Sequence, residues 1–530
     1  MPASVGATDN FVFGITKDVS MSAVANVAVV GSGMCGMTTA LALARRGHQV
    51  TVFERDPPPP AGNADDAFFN WQRLGAAQFR HPHAFLGGMC NIIRDNYPDL
   101  LEAFYAAGAR RVGFEEMLPP PLKAQYTQEE GDDRLWVLLC RRATMETVIR
   151  RYVETLPNVT IRNRVHVVGL ITESAGDGLV ARGLEIRDRA DEQGVSERVA
   201  ADLVIDASGR GTRFPAMLRE LGREVTEEVE DAEIIYYTRH YRLLPGQSEP
   251  PRGENRSAGD LGYLKYGVFP GDNGHFAIIL CVPDCEPELK EAVRDPATFD
   301  RMCASIPGLE PWIARSEPTT ESFGFGDIKA VWRHYVPEGS PLVLGFFGVG
   351  DATLRTNPLY GRGCSTGLMH AHILADVLES TTDARERAVR FDARTRDELR
   401  PIWEASRNED RNGTKRALAT MTGAAVDRPD SLRKWFGLAF GDALLAAARD
   451  DLHVMRGMMR TFHLLERPGD FLKDGKTRRK VMRYMLRGRR RNAGARLQIG
   501  PSRAEMLALV GQGASQGAQG AAQEDRARAA

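Results

Sequence analysis

Three glycine-rich stretches, each ending or flanking an apolar run, hold the residues best suited to bind a charged ligand through the backbone. They are Gly31-Ser32-Gly33-Met34-Cys35-Gly36, Asp206-Ala207-Ser208-Gly209, and Gly350-Asp351-Ala352 running on to Gly361-Arg362-Gly363. The glycine spacing of the first is what a pyrophosphate requires. One glycine permits a tight turn, the next lets phosphates approach the backbone, and the third lets a helix pack close to a strand. Unpaired N–H groups at the helix start, with the positive end of its dipole, favour the negative charge. Glu54 lies 23 positions after Gly31 at the end of the next apolar run, with Arg55 beside it. Its carboxylate would accept hydrogen bonds from adenosine ribose hydroxyls. An acid there disfavours a 2′-phosphate, so the residues point to FAD or NAD and away from NADP.

Between Trp71 and Gly88 the chain carries Arg73-x-Gly75-x-x-Gln78-x-Arg80-His81-x-His83-x-Phe85-Leu86. A His-x-His pair could hold a metal, but no carboxylate or third histidine lies near it. Hydrogen bonding in a packed loop accounts for both histidines, and no metal is expected. The seven cysteines are an odd number spread over a long chain, which fits reduced thiols in a cytoplasmic protein. Cys281 and Cys285 form the close pair, with no matching pair to complete a zinc site. There is no second Gly-x-Gly-x-x-Gly unit for a nicotinamide cofactor. There is also no Cys-x-x-Cys or Cys-x4-Cys pair, so a disulfide-reductase architecture is excluded. Lys473 to Arg496 is strongly basic, centred on Arg489-Arg490-Arg491, with Met482, Tyr484, Met485 and Leu486 interleaved. Such a helix could visit an anionic membrane surface or a partner protein, or be a solvated face.

These residues need elements to hold them. Asn26 to Val30 reads as a buried parallel strand, Met34 to Arg45 as a helix and His48 to Phe53 as a second strand, a complete βαβ unit. Arg142 opens a helix over Ala143 to Glu154, and Ala201 to Ile205 is a short strand running into Asp206. The strand Leu342 to Phe347 leads to Gly350-Asp351, and a helix begins near Gly363 and runs toward Glu379. Val159 to Val168 and Val180 to Ile186 read as strands. Tyr236 to Leu244, Tyr263 to Phe269 and His275 to Val282 suggest an antiparallel sheet. Beyond Ala384 the chain reads as helical to about Leu507. Met1 to Ser20 shows no periodicity, and Gly511 to Gly520 is low in complexity. The apolar run Val24 to Ala44 is broken by three glycines, which makes it a strand and a helix and not an anchor. No other stretch approaches the roughly 18 apolar residues of a spanning helix. A chain of 530 residues with a net charge of -1 implies a soluble protein of two or three domains, without whole-molecule attraction to nucleic acid.

In their order, the three segments resemble those of the FAD-dependent monooxygenases built on the p-hydroxybenzoate hydroxylase plan, over about Val24 to Glu379. The Arg73 to Leu86 loop is similar to one in a bacterial subgroup that includes polyene epoxidases of polyether biosynthesis and relatives of squalene epoxidase. The resemblance implies an α/β fold in which an FAD-binding Rossmann-like domain of the glutathione-reductase type (22–230 and 335–383) is interleaved with an antiparallel-sheet substrate domain. That second domain comprises 231–334 with contributions from 71–135. A C-terminal helical region (384–510) follows, with 1–21 as a flexible extension and 511–530 as a disordered tail.

It also implies roles. Gly31, Gly33, Met34, Cys35, Gly36, Glu54 and Arg55 would hold the adenosine and pyrophosphate, with Arg142 reaching the phosphate and ribityl region and Arg80 on the loop approaching the ring. Asp206 stands where the family carries an Asp-Gly motif. Ala207 and Arg210 depart from that motif, which weakens the case for direct NADPH use. Asp351 would hold ribityl hydroxyls, and Pro358, Gly361, Gly363 and Cys364 would border the flavin. There the helix start would stabilise anionic reduced flavin.

No catalytic side chain is assigned. The implied chemistry is transfer of one oxygen atom from O2, through a flavin C4a-hydroperoxide, to a lipophilic small molecule by epoxidation or hydroxylation. NADPH or NADH would supply electrons, directly or through a partner flavin reductase. The aromatic residues Tyr236, Tyr237, Tyr241 and Phe269 suggest a large, mainly apolar substrate. The alternatives are a geranylgeranyl-reductase-like enzyme and a non-catalytic flavin-binding protein. The Trp-x-Trp-x-Ile-Pro segment of the flavin-dependent tryptophan halogenases is absent.

Overall fold

The computed structural model describes residues 24–176, 178–189, 194–251, 256–424, 429, 431–496 and 499–511. The expected N-terminal extension 1–21 lies outside those residues, as does the expected tail 511–530 apart from Gly511.

Five short runs rich in Val, Ile and Phe form one parallel sheet. Its order is Phe346–Gly348, Leu203–Asp206, Asn26–Val30, Gln49–Glu54 and Val159–Asn163. Both faces are covered, as a parallel sheet requires. Val27, Val29, Val50 and Val52 pack with the helices Met34–Ala44, Arg142–Glu154 and Gly363–Ser380. Ala28, Val30, Phe53 and Val204 face the other way, onto a three-stranded antiparallel sheet of Val165–Ala175, Gly178–Asp188 and Ser196–Ala200. Each fully buried Val or Leu contributes about 1.5–3 kcal/mol.

Strand order explains why distant motifs meet. Gly31, Ala207 and Val349 each follow one of three adjacent parallel strands, so the turns gather at the same sheet edge. The joint is tight. Gly31 has φ +101°, and a side chain there would reach within 2.7 Å of the Ala207 carbonyl oxygen. A Cβ on Gly36 would come to 1.8 Å from the Gly31 oxygen.

Two expected strands are redrawn. Val159 to Val168 is not continuous, because Arg164 (φ 60°) breaks it into Val159–Asn163 of the parallel sheet and Val165–Ala175 of the antiparallel one. The strand at Leu342 to Phe347 is confined to Phe346–Gly348.

A second, six-stranded antiparallel sheet contains Ile234–Leu243, Lys265–Pro270 and His275–Pro283, flanked by Ala258–Asp260, Ser316–Pro318 and Phe323–Phe325. Side-chain alternation along its strands corrects the grouping of its aromatics, because successive residues point to opposite faces. Tyr236 packs with Ile279, Cys281 and Phe325, and Phe269 joins them. Tyr237 and Tyr241 lie on the other face, buried with Phe276, Ile278, Phe299 and Met302.

The C-terminal helices Ala384–Thr422, Leu432–Asp450, Leu452–Phe462 and Gly475–Arg487 start at Asp383, Ser431, Asp451 and Asp474. Each of these side chains accepts a first-turn backbone N–H. Met455, Met459 and Leu465 pack on Phe114, Leu118 and Leu122. Among the described residues no helix is long and apolar enough to cross a membrane.

Because the Gly36 site abuts backbone and not a movable side chain, Gly36→Ala should destabilise the protein by about 3 kcal/mol. A urea midpoint equal to that of the unaltered protein would show that the helix is not seated this closely.

Candidate functional site

A cleft of about 360 Å³ runs along the edge where the three turns converge. Its lining includes Gly31, Gly33, Met34, Cys35, Glu54, Arg55, Arg142, Asp351, Pro358, Gly361, Gly363 and Cys364 from the sequence reading. Gly36, Asp206 and Arg80 are not in the wall. Gly36 lies beneath the Gly31 turn. Asp206 is fully buried behind the wall, where one carboxylate oxygen accepts from the Ser208 N–H (3.0 Å) and hydroxyl (2.5 Å) and the other from the Thr212 hydroxyl (2.5 Å). It thereby shapes the turn whose Ser208, Gly209, Arg210 and Gly211 do line the cleft. The Arg80 guanidinium is committed to the carbonyls of Phe68 (3.3 Å) and Phe69 (3.1 Å), away from the cleft.

At the Glu54 end of the cleft, Glu54 Oε2 accepts from the Ser32 N–H (2.7 Å) and hydroxyl (2.6 Å), and Oε1 from the Asp56 N–H (2.9 Å). Burial alone would raise its pKa. The adjacent Arg73 guanidinium and these hydrogen bonds overcome burial and hold the carboxyl below its ordinary range. Arg73 is the residue that sequence reasoning passed over. It lies in the cleft wall, 3.2 Å from Glu54, 3.1 Å from Asp56 and 3.2 Å from Glu146, with its side chain almost fully buried. The sequence signal was its place at the head of the Arg73 to Leu86 loop pattern, which gave it no role there because its partners Glu54, Asp56 and Glu146 lie elsewhere in the chain.

Arg142 opens its helix where the preceding Arg141 N–H bonds to buried Asp272 (2.7 Å), which also accepts from Thr144 (2.8 Å). This ties the helix start to a hairpin tip of the second sheet. Arg142 then bonds to Glu146 (2.6 Å) and donates to His83 Nε2 (2.7 Å). That donation fixes the His83 tautomer, leaving Nδ1–H to donate to the His81 carbonyl (2.8 Å). Burial and the Arg142 charge push His83 well below its ordinary pKa, so its ring is neutral.

The cleft fits a flavin dinucleotide on three counts. The helix Met34–Ala44 begins at Gly33 with no side-chain cap and no first-turn acid, which leaves N–H groups for a phosphate. The helix Gly363–Ser380 likewise lacks a side-chain cap, with Gly363 and Cys364 at the cleft. The Asp351 carboxylate lines the cleft without a hydrogen-bond donor among the described residues, as expected of a group that receives ligand hydroxyls. Burial raises its pKa against the pull of Arg355, Arg142 and Arg210.

Next to the Pro358 end is an inner cavity of about 20 Å³ that shares Gln78, His83 and Pro358 with the cleft and adds His81, Tyr236, Phe269, Ile279, Phe325 and Leu359. His81 bonds to Thr238 (2.9 Å), and burial lowers its pKa to about 4. The loop between cleft and cavity is held from the C-terminal helix Ala384–Thr422. Asp410 accepts from Asn357 (2.6 Å) and Tyr360 (2.8 Å), Arg362 reaches Ser406 (2.7 Å) and Glu409 (3.0 Å), and Tyr236 donates to Asn357. Among the described residues no group of three or more His, Cys, Asp or Glu could hold a metal, and the seven cysteines are unpaired.

Residues 26–68 match the family model described as FAD dependent oxidoreductase. The chain is an FAD-dependent oxidoreductase. It is similar to Protein Rv3254 of Mycobacterium tuberculosis, 27% identical over 406 residues that cover 71% of this chain and 78% of that one. It is also similar to kynurenine 3-monooxygenase of Xanthomonas oryzae pv. oryzae, 22% identical over 381 residues, 71% of this chain and 77% of the other. The solved structure of p-nitrophenol 4-monooxygenase from Pseudomonas putida DLL-E4 shares the fold with a TM-score of 0.51 at 20% identity, covering 84% of this chain and 99% of that chain.

Two measurements follow from this geometry. Asp351→Ala should lower the FAD retained through gel filtration several-fold without lowering the melting temperature of the apoprotein; full flavin content would remove Asp351 from the site. Burial raises the Asp410 pKa from the ordinary 3.8 to about 6. The folded state therefore binds that proton more tightly, and the stability it contributes is complete below about pH 4 and lost as pH rises through about 6. Asp410→Asn should flatten that part of the stability profile, and an unaltered slope would contradict this reading.

Proposed function

We propose that the protein is an FAD-dependent monooxygenase that inserts one oxygen atom of O2 into a large, mainly apolar small molecule by epoxidation or hydroxylation. The observation that carries this reading is the junction at Pro358. There the end of the dinucleotide cleft, with its uncapped helix start at Gly363, adjoins an apolar cavity on the face of the second sheet.

Bound FAD would supply the redox chemistry with O2. The chain's own residues do the rest. Gly33, Met34, Glu54 and Arg55 bind the adenosine half, and Asp351 orients the ribityl chain. The N–H groups of Gly363 and Cys364, with the helix dipole, stabilise negative charge at the ring edge. Tyr236, Phe269, Ile279, Phe325 and Leu359 exclude water from the reacting region. His81 and His83 are neutral and add no charge there.

Electrons come from NADPH or NADH, directly or through a partner flavin reductase. Ala207 and Arg210 in the second motif support the partner route; the Arg210 guanidinium lies over the Phe325 ring at 5.2 Å and 3.7 Å from Asp327. The reading also gives the basic segment 473–496 a peripheral membrane contact. On the helix Gly475–Arg487, Arg479, Met482, Arg483 and Leu486 are all exposed at spacings that form one stripe, a mixture that adsorbs to anionic lipid.

The test is the visible spectrum of the purified holoprotein under anaerobic NADH or NADPH, followed by 18O2 admission with candidate substrates. Bleaching by a nicotinamide gives the direct route, and bleaching only by a reductase or dithionite gives the partner route. Label in the product is the expected result; a product reduced without O2 uptake would make the protein an alkene reductase instead. For the membrane contact, sedimentation with phosphatidylglycerol vesicles but not with phosphatidylcholine ones is expected, and equal recovery with both would remove it.

A further inference from the structure

Three cavities lie in a row. The inner cavity shares Gln78, His83 and Pro358 with the cofactor cleft, and it shares Phe269, Ile279 and Leu359 with an outer recess of about 410 Å³ beside the helix Ala384–Thr422. At about 20 Å³ the inner cavity holds no more than about one water. A substrate with an apolar body must therefore extend outward through the shared residues.

The floor of that path is one face of the antiparallel sheet. Register puts Tyr236, Cys281 and Lys265 in one row, Gly267 and Ile279 in the next, and Phe269 opposite Ala277 beyond them, all on the same side. Gly267 keeps the floor flat: a Cβ there would come within 3.1 Å of the Phe269 ring and 3.7 Å of Ile279. The roof is Leu359 and Tyr360, on the loop that Asp410 holds, and then Glu409, Asn412 and Arg416.

The outer end is polar and unevenly paired. Asp260 is engaged by Arg416 at 2.9 Å, and Glu409 by Arg362 at 3.0 Å. Asp410 is near enough to interact with Lys265, but its carboxylate already serves Asn357 and Tyr360. Lys265 stands 4.0 Å from Asp260, with no hydrogen-bonded acid among the described residues and only 15% of its side chain exposed. A largely buried ammonium with an acid only at 4.0 Å, and no acceptor within hydrogen-bond distance among the described residues, is a place for one.

We propose that this recess is the substrate's port and head-group subsite. It takes an elongated apolar acid whose carboxylate rests at Lys265 while the body passes the Phe269, Ile279 and Leu359 neck toward the Pro358 end of the cleft. The proposal rests on the oxygenase reading for what happens at the inner end, whereas the port itself is made of other residues.

The FAD-loaded protein would be titrated with ω-phenyl fatty acids of increasing chain length and with the matching amides, read by calorimetry and by the shift of the flavin spectrum. The best acid should bind about tenfold more tightly than its amide. Lys265→Gln should erase that preference. Leu359→Trp, and independently Gly267→Leu, should abolish the spectral shift with flavin content unchanged. Failure of every acid to bind, an acid preference that survives Lys265→Gln, or a spectral shift that survives both neck substitutions would overturn the port. Product is scored separately: acid-selective binding without oxygenated product supports the port and counts only against the oxygenase reading.

Discussion

Everything at the site hangs on how closely three backbone turns approach one another. Gly31, Gly36 and Ala207 meet at distances that leave no space for a side chain on either glycine. This contact seats the helix Met34–Ala44 on its strand and aims its uncapped N–H groups at the cleft. A parallel sheet is the frame that brings such turns together, because its strands all end on one side and the loops that follow them share an edge. The neighbouring Gly350 obeys the same limit: it has φ +63°, and a Cβ there would meet the Cys35 sulfur at 2.5 Å.

Buried charge does the positioning that packing cannot. Arg73 sits among Glu54, Asp56 and Glu146, and Arg141 among Asp272 and Asp65, with most of their surface removed from water. Ions so placed are costly unless paired, and loss of one partner leaves another exposed to that cost, commonly about 3–5 kcal/mol. The arrangement therefore has one well-defined geometry. Arg73 locks Glu54 in the wall, Glu146 links Arg73 to Arg142, and Arg142 sets the tautomer of His83. A single chain of polar contacts thus runs from Glu54 in the cleft wall to the edge of the inner cavity.

The C-terminal helix Ala384–Thr422 is part of the site and not an appendage to it. Trp403 is fully buried against Trp332, and Arg400 and Arg407 lie over its ring at 4.5 Å and 4.4 Å. That anchor fixes the helix register, which in turn brings Ser406, Glu409 and Asp410 to the loop around Pro358. The loop separates cofactor cleft from apolar cavity, so its support decides the shape of both.

The sequence by itself determined the βαβ unit, the three motif turns, the acid at Glu54 and the helix starts at Arg142 and Gly363. These depend on residues adjacent in the chain, where glycine spacing and apolar periodicity act locally. Two things were out of its reach. Alternation along one strand already turns Tyr237 and Tyr241 away from Tyr236, but which face meets the inner cavity, and that Phe269 of another strand joins Tyr236 there, depended on register and packing. The charge partners of Arg73, the tie of Asp272 to Arg141 and Thr144 at the start of the Arg142 helix, and the hold of Asp410 on Asn357 each join residues far apart in sequence. Only tertiary structure decided them, because an ion pair or hydrogen bond is set by distance in space, and linear spacing carries no record of it once the chain has folded back on itself.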